Sequence, residues 1–467
     1  VSAAQRGRRF GRRDFLRASV AAAAAACLPA GANGSTPRTL RASAGRVSLV
    51  GPQNPSTEVW AYDGAVPGPE LRFRQGERLH VEVENLLPEG TTVHCHGIRL
   101  PNAMDGVPHL TQPPISASGG RFTYEFTLPD AGTYWYHPHM NSSPQVGRGL
   151  YGPLIVEEEK APPVDRDLVW VLSDWRLDRE ARIVDDFGNF MDASHAGRIG
   201  NTVTINGAIR ERFELRAGER IRLRLINAAN ARVFGLNFRG HDPVVIALDG
   251  HPVSPHRPPN GRIVLGPAMR ADIVLDATGE PGGGYPVLDD FYPRLPYRLV
   301  TLVYPGAGSA RGLAGTPLPM LAPNTVPEPN LERAERHRID FGGGMMGKMP
   351  MMASMRGMAW TINGEAMRSD SHDHDPVLTL AQGRSVVLDL INDTLWHHPI
   401  HLHGHAFRVI TRDGRPTPHR EWLDTVLMAP RSRAEIAFVA DNPGDWMFHC
   451  HILEHQAAGM MAVIRVA

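Results

Sequence analysis

The chain has 467 residues, is rich in Gly (47) and Pro (40), and balances 49 basic against 49 acidic side chains. The turn-rich composition favours strands over helices, the 42% hydrophobic content excludes wholesale disorder, and the zero net charge excludes an electrostatically driven nucleic-acid binder. The 22 His stand against 3 Cys (Cys27, Cys95 and Cys450), too few for a disulfide framework and a ratio that points to transition metals.

Residues 1–32 read as an export signal. Arg12-Arg13-Asp14-Phe15-Leu16-Arg17 has the twin-arginine pattern, Ala18 to Ala26 is an apolar run, and Ala30-Gly31-Ala32 offers a small-residue cleavage site. The expected location is the periplasm or another exported compartment, reached through the twin-arginine machinery. The alanine run is too short to span a bilayer, and no other stretch reaches that length, so no stable membrane insertion is expected.

From 44 to 160 the chain alternates with period 2, as in Arg78–Asn85 and Thr123–Leu128. A second block, 165–305, repeats the pattern in Glu219–Asn227, and a third, 336–467, in Gly383–Asn392. Three copies of one strand type, each ending in Asn, predict three related β domains. The Pro-rich stretch 306–335 reads as a linker between the last two.

Four His-rich motifs sit in the outer blocks: His94-Cys95-His96-Gly97, His137-Pro138-His139, His398-Pro399-Ile400-His401-Leu402-His403-Gly404 and His449-Cys450-His451-Ile452-Leu453-Glu454-His455, followed by Met460. On a strand, residues i and i+2 share a face, so each His-x-His pair aims two imidazoles at one place. Cys450 then points away from His449 and His451, and one short segment serves two metal groups. A Cys, two His and a more distant Met make a blue-copper electron-transfer set, here Cys450, His398, His455 and Met460. Eight His remain, the number that three imidazole-bound coppers need. Cys95, between two such His, reads as a small buried hydrophobe.

These motifs, in this order, resemble the four copper-binding motifs of the multicopper oxidases, the family of laccases and periplasmic cuprous oxidases. The resemblance covers 44–467 and implies three cupredoxin-like Greek-key β barrels with a trinuclear cluster between the first and third. It implies four copper ions: type 1 as above, type 2 on His94 and His401, and a type 3 pair on His96, His137, His139, His403, His449 and His451. The middle domain, without ligands, is expected to be structural. The implied reaction couples one-electron oxidations to reduction of dioxygen to water. Electrons are expected to enter at an exposed edge of His455 or His398 and to pass through Cys450. Asp105, in Asn102-Ala103-Met104-Asp105-Gly106, resembles the family's proton-handling Asp. Gln456 departs from bacterial relatives that carry a titrating Glu there.

The reductant is the open question. Between Gly342 and Met358 lie Met345, Met346, Met349, Met351, Met352, Met355 and Met358, interleaved with Gly and Pro that oppose a helix. Thioethers suit Cu(I), so the expected reductant is Cu(I), with small phenols as the alternative. His372 and His374 read as a solvated loop. A non-catalytic copper-binding or structural envelope protein should have lost ligands, and none is missing.

Overall fold

The computed structural model describes residues 38–306, 312–345, 358–367 and 375–467. The export segment 1–32, Met346, Met349, Met351, Met352, Met355, His372 and His374 lie outside the described residues. Among the described residues, no helix is long and apolar enough to cross a membrane.

The fold is all-β. Among the described residues, six sheets fall in three consecutive pairs along the chain. The three strands singled out by their alternation occupy matching places. Arg78–Asn85 runs parallel to Arg38–Val47 and antiparallel to Gly120–Thr127. Arg220–Asn227 runs parallel to Arg166–Trp175 and antiparallel to Arg270–Asp276. Ser385–Asn392 runs parallel to Glu335–Gly343 and antiparallel to Arg433–Val439.

The terminal Asn has the same task in each copy. Its carboxamide oxygen accepts the N–H two residues on, from Leu87, Ala229 or Thr394. Its NH2 donates to nearby carbonyls, of Glu89 and Ile115, of Arg232 and Leu265, or of Trp396 and Ala429. A buried carboxamide fully used in this way closes the strand and fixes where the following loop departs.

The middle copy differs in what covers its polar face. Ile221, Leu223 and Leu225 enter the middle block's own apolar core. The alternate residues Arg220, Arg222 and Arg224 are also buried and are paired: Arg220 with Asp276, Arg222 with Glu158 and Asp272, and Arg224 with Asp167. Arg224 also donates to Thr133 Oγ1 of the first block at 2.9 Å. Buried charges persist only when paired and hydrogen-bonded, and this ladder satisfies them where the first and middle blocks meet. The first and third blocks share one apolar cluster, from Leu40 to Val466, so the two motif-bearing blocks are held against each other.

Candidate metal centre

The motifs lie on neighbouring strands. His94–His96 pairs antiparallel with Gly132–His137, which sets His94 opposite His137. His398–Leu402 pairs with Gly444–Cys450, which sets His401 opposite His449 and Ile400 opposite Cys450. Strand pleat sends His449 and His451 to one side and Cys450 to the other.

His94, His96, His137, His139, His401, His403, His449 and His451 converge in one buried region. Three triads within it have ligand atoms lying within 4.8 Å of one another: His94, His139 and His403; His94, His96 and His401; His96, His137 and His451. His403 Nε2 faces His449 Nε2 at 3.1 Å, and His451 Nε2 faces His137 Nε2 at 3.4 Å. Burial, reinforced by the neighbouring imidazoles, pushes the pKa of His96, His137, His139, His403 and His451 well below the usual value, and that of His449 to about 3. The rings are therefore neutral, with lone pairs available. His94 Nε2, His96 Nδ1, His401 Nε2, His451 Nδ1 and both nitrogens of His139 are buried without a hydrogen-bond partner. Orphaned buried nitrogens are costly unless a cation takes them, and imidazole sets of this kind suit copper.

Asp105 lies against this region. Its carbonyl accepts from His94 Nδ1 at 2.7 Å and its Oδ2 from His403 Nδ1 at 2.9 Å. Oδ1 lies 3.2 Å from His94 Nδ1 and makes no hydrogen bond of its own. Gly106 follows at φ +80, where a Cβ would collide with the Val93 carbonyl, so the Asp-Gly turn brings Asp105 against the strand that carries His94.

On the other side of Cys450, its Sγ lies 3.5 Å from His398 Nδ1 and 3.7 Å from His455 Nδ1, and the two nitrogens are 3.1 Å apart. The outer nitrogens are both used, His398 Nε2 with Thr394 Oγ1 at 2.8 Å and His455 Nε2 donating to the His195 carbonyl at 2.7 Å. Burial pushes His455 down to about 3 and the Cys450 thiol up, so a bound cation would displace the thiol proton. Met460 is buried, and its carbonyl accepts from the Cys450 N–H at 3.0 Å. The donor set fits a sulfur-bound copper.

One expectation needs correction. Neither His455 nor His398 shows an edge at the surface: both are 0% exposed. Trp360 of the third block packs on both rings and Thr394 takes His398 Nε2, while the middle-block segment around the short helix Phe190–Ser194 adds the His195 carbonyl over His455 Nε2 and the Ala193 carbonyl that accepts from Trp360 Nε1. The middle block enters none of the metal-type groups found among the described residues and contributes these covering groups. The other singled-out residues have plain positions. Cys95 sits in the shared apolar core, where burial pushes its thiol up to about 12. Gln456 is buried with Oε1 unpartnered. Glu454 is committed to packing, accepting from Ser143 Oγ, Asn230 Nδ2 and the Arg198 N–H. Met345 is 45% exposed, and its N–H donates to the Ser194 carbonyl at 3.1 Å.

Asp424, Thr394 and His195 carry no motif and were not singled out from sequence. Asp424 Oδ1 lies 3.0 Å from His96 Nε2, and its carbonyl accepts from His401 Nδ1 at 2.8 Å. The one local signal was Gly97, a glycine directly after a candidate ligand, which marks a close approach.

Comparison with known proteins agrees with this geometry. Multicopper oxidase family profiles match residues 45–161, 166–302 and 346–467. A multicopper oxidase, MmcO, of Mycobacterium tuberculosis is 32% identical over 97% of this chain and 96% of its own. The crystal structure of a multi-copper oxidase from Pseudomonas thermotolerans superimposes with a TM-score of 0.83 at 37% identity, covering 92% of this chain and 99% of that one. A Campylobacter jejuni multicopper oxidase described as a metallo-oxidase gives 0.75 at 27% identity, covering 92% and 90%. Proteins named laccase, of Botryotinia fuckeliana and Cryphonectria parasitica, are also among the relatives. The chain belongs to the multicopper oxidase family, and is a copper oxidoreductase that uses dioxygen.

Proposed function

We propose that this protein is an exported multicopper oxidase that takes electrons from Cu(I). The observation that carries the oxidase assignment is Cys450: its sulfur faces one buried ligand set while its two chain neighbours face another. In this reading His398, Cys450, His455 and Met460 hold the type 1 copper, and His94 and His401 the type 2. His96, His137, His139, His403, His449 and His451 hold the type 3 pair, four coppers in all. The domains run 44–160, 165–305 and 336–467, joined by 306–335, and 1–32 directs twin-arginine export. When bound, copper supplies one-electron acceptance at the sulfur-ligated site and four-electron reduction of dioxygen to two waters at the other.

The protein's own share follows from its contacts. Cys450 joins the two sites through one side chain and one peptide on either flank, the shortest link a chain offers. Asp105 holds two imidazoles by their outer nitrogens and is proposed to take up a proton at Oδ1. Gln456 has no proton to titrate, and Glu454 is occupied in packing, so the relay falls to Asp105.

Cu(I) is favoured by where the Met-rich segment starts. Met345 is hydrogen-bonded to Ser194, next to the residue whose carbonyl holds His455 Nε2. A soft-ligand segment therefore begins one peptide from the covered edge of the type 1 set. Oxidation of small phenols is the second reading, favoured by the relatives named laccase. The test compares catalytic efficiency for Cu(I) and for a substituted phenol in the copper-loaded protein, then repeats it with Met346, Met349, Met351, Met352 and Met355 changed to Ser. Cu(I) oxidation should fall while phenol oxidation holds or rises. If both stay unchanged, the segment has no substrate role and the Cu(I) reading is lost.

A further inference from the structure

The middle block gives no imidazole to the eight-His region, yet one of its cations ends beside it. Arg270 opens the strand Arg270–Asp276 and is fully buried. Its fork meets Asp424 of the third block, Nη1 to Oδ1 at 2.8 Å and Nη2 to Oδ2 at 2.5 Å. Its Nε donates to the Thr133 carbonyl of the first block at 3.1 Å. Asp249, also buried, accepts the Arg270 N–H on Oδ1 at 2.9 Å and the Thr425 N–H on Oδ2 at 3.1 Å. One guanidinium is thus tied to all three blocks.

What it holds is next to the ligands. Asp424 takes His96 Nε2 on its side chain and His401 Nδ1 on its carbonyl, and Thr425 Oγ1 lies 3.2 Å from each of these two nitrogens. With those nitrogens engaged, His96 presents Nδ1 and His401 presents Nε2, two of the atoms left without a partner. The first block makes room for the fork. Gly97 has φ +85, and a Cβ there would collide with Asp424 Oδ2 and Arg270 Nη2. A bidentate guanidinium fixes the plane of a carboxylate as a point charge does not, and the group behind a ligand His decides which nitrogen it turns to the metal.

We infer that Arg270, backed by Asp249, is a positioning residue that acts through Asp424 to set which nitrogen His96 and His401 present to copper. The inference rests on the proposed reading that the eight imidazoles hold three coppers. The experiment uses the full-length, copper-loaded parent with Arg270→Met and Arg270→Lys. It reads the blue band of the Cys450 site, the paramagnetic resonance spectrum of the type 2 copper, and copper retention against a chelator. Arg270→Met should keep the blue band, change the type 2 spectrum, and weaken copper retention in the cluster by about tenfold or more. Arg270→Lys keeps the buried charge but not the fork. It should fold and retain copper, with a type 2 spectrum still unlike the parent's. A purely packing role lowers thermal stability without moving the spectrum. Parent-like spectrum and retention in Arg270→Met would overturn the inference, as would the same result in Arg270→Lys should the Met variant fail to fold. A parent protein with fewer than three coppers on the eight imidazoles would overturn both this inference and the copper assignment beneath it.

Discussion

The same tripeptide occurs twice, His94-Cys95-His96 in the first block and His449-Cys450-His451 in the third. In both, strand pleat sends the two His to the shared imidazole region and the Cys to the opposite side. There the likeness ends. Cys450 meets His398 and His455, whereas Cys95 is buried in the apolar cluster shared by the first and third blocks. The tripeptide therefore specifies a direction and not a metal site. What the Cys can do is set by the strand and helix that pack behind it, here the strand from His398 and the short helix from Leu453.

The largest effect expected from this comparison is at Cys450. Cys450→Ser should abolish the blue band and lower turnover by at least about a thousandfold, roughly 4 kcal/mol of lost transition-state stabilisation. The type 2 resonance signal should remain, because the Ser leaves all eight imidazoles in place. If substantial blue absorption survives, the sulfur is not the ligand and the two tripeptides are alike after all.

The next effects concern what stands behind the imidazoles. The His94 and His403 outer nitrogens meet the carboxyl residue Asp105, whereas the His398 outer nitrogen meets a hydroxyl. Asp105→Asn should cut turnover about tenfold to a hundredfold, with the reductant KM and the blue band unchanged, since the loss falls on oxygen reduction. Thr394→Val leaves a buried imidazole nitrogen without its partner. It should cost about 1–3 kcal/mol in thermal unfolding, shift the blue band slightly, and change turnover less than Asp105→Asn does. Equal losses of oxygen reduction in the two variants would show that the carboxylate has no special part to play.

The candidate ligands were legible because their chemistry is local. His-x-His spacing, the Cys between two His, and the later Met are all read within short segments, and the alternation of Arg78–Asn85 placed such segments on strands. The groups that hold the candidate ligands were not legible, for three physical reasons. Arg270 opens a strand and Asp424 sits in the one-residue break between the strands Trp422–Leu423 and Thr425–Met428, and the two are brought together over 154 positions of chain. His195 contributes its backbone carbonyl, for which side-chain identity gives no signal. Thr394 lies beside Asn392 in a loop whose course is set by that carboxamide. The expectation of an exposed His455 edge went wrong in part for the second of these reasons, because main chain of the middle block joins the Trp360 ring in covering it.

The smallest expected effect is at Cys95, and it is the sharpest test of the comparison because little else should move. Its thiol is buried and pushed up to about 12, so thiolate is scarce at neutral pH and the residue should resist thiol-modifying reagents in the folded protein. Cys95→Ala removes one sulfur from a packed core and should cost about 1 kcal/mol in thermal unfolding. The strand register that places Cys95 opposite Tyr136 and His94 opposite His137 depends on backbone pairing and survives the change. The flanking His94 and His96 should therefore keep their places, and copper content, blue band and turnover should match the parent. A loss of copper or colour in Cys95→Ala would mean that the first tripeptide, too, has a sulfur that matters to the metals, and the direction of a Cys on these strands would then be insufficient to tell core from ligand.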